Sequence, residues 1–229
     1  MLGQTSEKST NPSPEDGEKC LYCGELIGRG FFRYCSEKCF RFDERKRDEK
    51  QTLFAFGVPL RYLDCSFKNY VSKENEEIVS ELQKHDDFTT SIFITGPVGV
   101  GKTHLAVAFM RQTMFKSVNE QRFFTANDII LKLKSTINSD TKTEAGVFSE
   151  LKARMKMLII DDIGTERPTE YAMQAWYKII DDRYSIMAPT IYTSNLSIPE
   201  FAERYGDRMA SRLSSGLIIK LKGTDYRLK

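Results

Sequence analysis

The sequence predicts an α/β fold: a parallel five-stranded sheet flanked by helices, preceded by a small cysteine-bearing module. Two observations carry this. From Phe54 onward short apolar runs alternate with amphipathic segments, the pattern of a sheet layered between helices. Four of the five cysteines, by contrast, fall within the first forty residues. The candidate strands are Ser91–Thr95, Arg122–Thr125, Met157–Asp161, Thr190–Ser194 and Leu217–Leu221. Between the third and fourth, Ala172, Ala175, Trp176, Ile179, Ile180 and Tyr184 recur at helical spacing, so that segment is expected to lay an apolar stripe, Trp176 included, on the sheet.

A length of 229 residues accommodates one full α/β domain and a small accessory module. The expected boundaries are a disordered, uncleaved leader over 1–18, a cysteine module over 19–42, a linker over 43–56 and the main domain over 57–229. Hydrophobic residues at 40% and charged residues at 29% are those of an ordinary soluble chain. No stretch approaches the ~20 apolar residues that span a bilayer, and the leader lacks a basic-then-apolar signal pattern. A cytoplasmic protein without membrane attachment is expected. The 34 basic residues nearly balance 32 acidic ones, for a net charge of +2, so any nucleic-acid contact must be local. The linker interleaves Asp43, Glu44 and Asp48 with Arg45, Lys46 and Arg47, which reads as a solvated helix face or, with Arg41, as a DNA contact.

The segment Gly96-Pro97-Val98-Gly99-Val100-Gly101-Lys102-Thr103 fits G-x-x-x-x-G-K-[ST] and lies between an apolar strand and a helical segment, the context this motif requires. Glycines let successive backbone N–H groups curl around phosphates, and the helix N-terminus adds a partial positive charge. Lys102 is then expected to reach the β- and γ-phosphates of ATP, and the Thr103 hydroxyl to ligate Mg²⁺. Met157-Leu158-Ile159-Ile160 end in the pair Asp161-Asp162. Two acids after a strand can be a mere helix cap. Beside a phosphate loop, Asp161 is expected to hold Mg²⁺ and Asp162 to polarise the attacking water. His104, one residue past Thr103, is counted with the nucleotide-binding residues and given no catalytic role.

Cys20-x₂-Cys23 and Cys35-x₃-Cys39 are separated by eleven residues, a spacing that suits tetrahedral zinc. In a chain without a secretory signal such clustering points to metal ligation rather than disulfides. Four thiolates close the coordination shell, so a structural zinc is expected, and it explains how about twenty residues fold with almost no apolar core. Protein docking and DNA binding both stand as roles for the module. Cys65, apart from the others, reads as a small buried side chain.

With these residues in view, the chain from Gly57 to Arg227 resembles the AAA+ ATPases of the DnaC/DnaI/IstB type, the group that includes bacterial replicative-helicase loaders. The resemblance rests on Gly57-Val58-Pro59-Leu60-Arg61-Tyr62 with Phe67, Gly101-Lys102-Thr103-His104-Leu105-Ala106, Ile159-Ile160-Asp161-Asp162-Ile163-Gly164, Thr193-Ser194-Asn195, Arg208 through Leu213, and Gly223-Thr224-Asp225-Tyr226-Arg227. It implies that Tyr62 borders the adenine and that Asn195 senses the γ-phosphate. It further implies that Arg212 is an arginine finger donated to a neighbouring subunit's ATP, and that Arg227 is a second sensor in its own subunit. A guanidinium supplied in trans makes hydrolysis depend on assembly. The implied function is an ATP-dependent helicase loader that binds a replicative helicase and single-stranded DNA as a homo-oligomer. Lys132 and Lys134, in the helix after the second strand, are candidate DNA contacts or simply soluble surface. The competing functions are an IstB-like transposition helper and a non-hydrolysing, nucleotide-switched adaptor.

Overall fold

The computed structural model describes residues 48–85, 90–114, 121–137, 139–152 and 157–228. The leader, the cysteine module with Cys20, Cys23, Cys35 and Cys39, and the linker as far as Arg47 lie outside the described residues. Packing divides the chain into two units, Met1–Gln51 and, holding the sheet, Thr52–Lys229.

Its elements run α1 (Glu76–Lys84), β1 (Ile92–Thr95), α2 (Lys102–Thr113), β2 (Arg122–Thr125), α3 (Ala126–Lys134), α4 (Glu144–Lys152), β3 (Leu158–Asp161), α5 (Glu170–Ser185), β4 (Thr190–Ser194), α6 (Ile198–Tyr205), α7 (Asp207–Leu213) and β5 (Leu217–Lys220). The strands form one sheet in the order β2-β3-β4-β1-β5, and every pairing is parallel. All five predicted strands are present, within a residue of their expected ends. The three central strands are buried throughout, while β2 and β5 at the edges are only partly covered.

Strand periodicity sends alternate side chains to opposite faces. Phe93, Ile160 and Tyr192 pack with α3 to α7 on one side, whereas Ile92, Ile94, Ile159 and Ile191 pack with α2 on the other. Burial on both faces is why these strands read as unbroken apolar runs rather than alternating ones. The predicted stripe of α5 is buried from Ala172 through Ile180, with Trp176 fully enclosed. Tyr184 departs from the expectation: it is 51% exposed, and Arg183 takes the inward position. Nε of Arg183 donates to Thr190 Oγ1 at 2.6 Å and Nη2 to the Pro189 carbonyl at 2.8 Å, so the helix's last turn is tied to the start of β4 through polar rather than apolar contacts. Among the described residues, no helix is long and apolar enough to cross a membrane.

Helix starts follow local chemistry. Thr125 and Thr169 cap α3 and α5, their hydroxyls accepting from Asp128 N and Ala172 N. Ser197 and Glu200 form a reciprocal capping box on α6, with Ser197 N donating to Glu200 Oε2 at 2.7 Å. Ser197→Ala leaves the Glu200 N–H without its acceptor at this exposed helix start and is expected to cost about 1 kcal/mol in urea unfolding; no measurable change would mean that water replaces the cap at no cost.

Candidate nucleotide-binding site

In open parallel sheets, ligands bind beyond the carboxyl ends of strands where the chain reverses its direction of travel across the sheet. Here β1 lies between β4 and β5, and the chain crosses from β1 to the far edge before returning. The loops leaving β1, β3 and β4 therefore converge on one end of the sheet.

The β1 loop, Gly96 to Gly101, opens directly into α2. Gly101 caps that helix with φ +93°, and a Cβ there would lie 2.6 Å from the Tyr70 ring. Gly99 has φ +76°, and its Cβ would fall 1.8 Å from Asp225 Oδ1. Both positions need glycine for backbone conformation and for space. Lys102 is nearly buried, and its Nζ donates to the Gly96 and Pro97 carbonyls at 2.9 and 2.7 Å. Burial pulls its pKa below the usual lysine value, against the opposing pull of the Asp162 and Asp161 carboxylates.

Asp161, at the end of β3, is buried. Thr193 Oγ1 donates to its Oδ1 at 2.6 Å, and Thr103 Oγ1 donates to Oδ1 and Oδ2 at 2.9 and 3.1 Å. Desolvation pushes its pKa up to about 6; the Thr193 hydrogen bond opposes the shift, Asp162 adds to it, and Thr103 and Lys102 oppose it. Asp162 adopts φ +58°, and its N–H donates to Thr193 Oγ1 at 2.9 Å. A left-handed conformation at a non-glycine residue is held only where the surroundings enforce it, and it separates the directions of the two adjacent carboxylates.

Of the residues expected at the site, Tyr62, Val98, Gly99, Gly101, Lys102, Thr103, His104, Asp162, Asn195 and Arg227 line one cavity of about 190 Å³, together with Arg61. Gly96, Pro97, Val100 and Asp161 do not line it. The first two turn carbonyls toward Lys102, Val100 is wholly in the core, and Asp161 sits behind the Thr103 hydroxyl. Arg61 stacks its guanidinium 5.2 Å from the Tyr62 ring centroid. His104 faces the Ser66 carbonyl through Nε2 at 2.9 Å, and burial lowers its pKa. A carbonyl only accepts, so Nε2 carries the proton and the ring is neutral near pH 7. Arg227 pairs with Asp225 through Nε and Nη2 at 2.9 and 2.8 Å, and Tyr226 N donates to Gly99 O at 3.1 Å. The C-terminal segment is thereby fastened to the phosphate loop.

Arg212 is not in this cavity. It lies on α7 against α5, paired with Asp181. Lys132 also departs from the simple picture of a free cation: it pairs with Glu150 at 2.8 Å and lies over the Phe124 ring, while Lys134 is exposed. Cys65 is buried as expected, and burial raises its thiol pKa to about 11. Two residues with no role in the sequence reading stand out. Thr193 joins Asp161 and Asp162, a contact that arises because Ile160 is in register with Tyr192; Asp225 holds Arg227 over the loop.

Among the described residues, no cluster of three or more His, Cys, Asp or Glu could hold a metal alone. Mg²⁺ is characteristically held by one or two carboxylates plus substrate phosphates. A buried carboxylate already facing a threonine hydroxyl, as Asp161 faces Thr103, is a donor set of that kind.

The family model described as IstB-like ATP binding protein matches residues 36–229. The chain belongs to this family. Among curated relatives, the replicative helicase loader DnaC of Escherichia coli (strain K12) is 26% identical over 181 residues, which is 76% of this chain and 73% of DnaC. The insertion sequence IS5376 putative ATP-binding protein of Geobacillus stearothermophilus is 31% identical over 151 residues, 62% of this chain and 57% of that protein. The crystal structure of the DnaC helicase loader superposes with a TM-score of 0.62 at 25% identity, covering 72% of this chain and all of that one. The protein is accordingly a P-loop ATPase of the AAA+ type.

Proposed function

We propose that the protein is an ATP-dependent loader of a replicative DNA helicase, acting as a homo-oligomer on single-stranded DNA. The observation that carries this reading is the likeness to the DnaC helicase loader, which extends over most of both chains; the convergence of the phosphate loop, Asp162 and Asn195 on one cavity supports it. Bound ATP lies along the cavity, its base against Tyr62 and its phosphates on the loop amides. Lys102 exchanges the Gly96 and Pro97 carbonyls for phosphate oxygens. Thr103 and Asp161 hold Mg²⁺, which supplies charge neutralisation on the β- and γ-phosphates. Asp162 orients and deprotonates the attacking water, Asn195 reads the γ-phosphate, and Arg227 leaves Asp225 to meet phosphate charge. Arg212 acts on the ATP of a neighbouring subunit, so hydrolysis follows assembly.

The finger made by Cys20, Cys23, Cys35 and Cys39 holds a structural zinc and docks on the helicase. Single-stranded DNA runs beside α3, where Lys134 is the better contact because Glu150 engages Lys132. A second reading, an ATPase that assists a transposase on target DNA, is favoured by the 31% identity to the insertion-sequence protein.

Native mass spectrometry of the zinc-loaded protein with its cognate hexameric replicative helicase, with and without ATP, tests the proposal. A defined complex that disappears when residues 1–42 are removed is expected. No complex under any nucleotide condition would overturn the loader reading and favour transposase partners.

A further inference from the structure

A guanidinium that is to enter another subunit's active site has to project from the surface, and Arg212 does not. Its side chain is only 15% exposed and its Nη2 is ion-paired with Asp181, one α-helix away on α5. The rings of Tyr177 and Tyr184 lie 5.5 and 5.6 Å from its Cζ, so the cation is flanked by two π faces. Nη1 donates back to the Arg208 carbonyl at 3.3 Å, and Nε is buried without a hydrogen-bond partner. Arg208 shares the Tyr177 ring at 5.0 Å. The contacts made by this guanidinium are therefore within its own subunit, and one of its N–H groups is left unsatisfied.

We propose that Asp181, with Tyr177 and Tyr184, forms a cis holster for Arg212, occupied in the lone subunit and vacated when a second copy of the chain docks against this face. The inference rests on the reading that Arg212 serves a neighbour's ATP. Withdrawal of Arg212 into this holster opposes assembly-dependent hydrolysis. The Asp181 carboxylate stands in for the phosphoryl charge, and docking exchanges one anion for the other. The orphaned Nε favours that exchange, because a phosphate offers acceptors that the holster lacks. Asp181 is thus a positioning residue: it touches neither nucleotide nor water and acts through Arg212.

The test is ATP hydrolysis per subunit as a function of protein concentration, with assembly followed in parallel by sedimentation in a non-hydrolysable ATP analogue. Asp181→Asn keeps the shape and removes the charge. The half-maximal protein concentration is expected to fall about 5-fold, the equivalent of roughly 1 kcal/mol for a partly exposed ion pair. The plateau rate should be unchanged, and Asp181→Glu should restore the wild-type midpoint. An unchanged or higher midpoint for Asp181→Asn overturns the holster, as does a depressed plateau with an unmoved midpoint, which is what loss of mere structural support would give. Should Asp181→Asn fail to fold, Tyr184→Leu removes one ring from the same cation and is expected to shift the midpoint in the same direction by a smaller factor; no shift there also overturns the inference. Arg212→Ala separates this idea from the one beneath it. If that variant reaches the wild-type plateau, the trans role of Arg212 fails; if it is inactive while Asp181→Asn behaves as wild type, only the holster fails.

Discussion

Lys102→Ala is expected to lower ATP hydrolysis by the assembled protein by about 10²- to 10³-fold, the loss typical of deleting a preorganised charge partner for a transition state, with little change in thermal stability. The ammonium is nearly buried and is held at the loop's inner side by the Gly96 and Pro97 carbonyls. Both are acceptors that a phosphate displaces, so the group is stored next to where it acts and pays little reorganisation on binding. Its lowered pKa has desolvation as the main cause, and a bound polyphosphate would reverse that pressure by supplying negative charge. Lys102→Arg is not expected to rescue, since a planar fork does not fit where a single point charge meets two carbonyls. Nucleotide affinity by calorimetry and steady-state hydrolysis at saturating protein check the prediction together. Wild-type hydrolysis in a folded Lys102→Ala protein would mean that the phosphates lie elsewhere.

What could be read in the sequence and what could not divide along the range of the interactions involved. The strands were legible because each is a short run buried on both faces, and the loop after β1 because its glycines, lysine and threonine are contiguous. Local period also found the α5 stripe as far as Ile180. It failed at Tyr184, because periodicity carries no information about where a helix runs past the sheet it covers. At that point Arg183, with hydrogen bonds to the β4 end, takes the inward position. Thr193 belonged to a quoted motif but had no role of its own: that role comes from the register of β3 against β4, which brings its hydroxyl to both acids. Asp225 was quoted within a motif but without a partner, and Asp181 carried no signal at all. Each matters through a basic residue, Arg227 two positions away or Arg212 thirty-one positions away, whose own environment is made by packing. The motifs name Lys102, Asp162 and Arg227, which line one cavity, while tertiary structure decides which partner each charged group has.

Asp161→Asn is expected to abolish Mg²⁺-dependent hydrolysis while making the magnesium-free protein more stable. The loss of activity should be about 10²-fold or more, since the carboxylate is the buried member of the acid pair and faces Thr103. The gain in stability has a separate cause. Desolvation raises the Asp161 pKa from 3.8 to about 6, so the charged form present at neutral pH is disfavoured in the fold by roughly 3 kcal/mol at most. For a carboxyl with a raised folded-state pKa, the favourable contribution is fully present below 3.8 and is lost as pH rises through about 6. The wild-type protein in magnesium-free buffer should therefore lose melting temperature across that interval, by roughly 5–10 °C if nothing else titrates there. Asn cannot ionise and still accepts from the Thr193 and Thr103 hydroxyls, so its melting temperature should lack this component and exceed the wild type near pH 7. Adding Mg²⁺ and nucleotide should narrow the gap from the wild-type side only. Parallel melting curves for the two proteins from pH 4 to pH 7 would show that Asp161 ionises in the fold as readily as in the unfolded chain and that its burial carries no cost for a cation to relieve. Divergent curves that converge on adding Mg²⁺ and nucleotide would tie the instability of the magnesium-free protein to the carboxylate proposed to hold the metal.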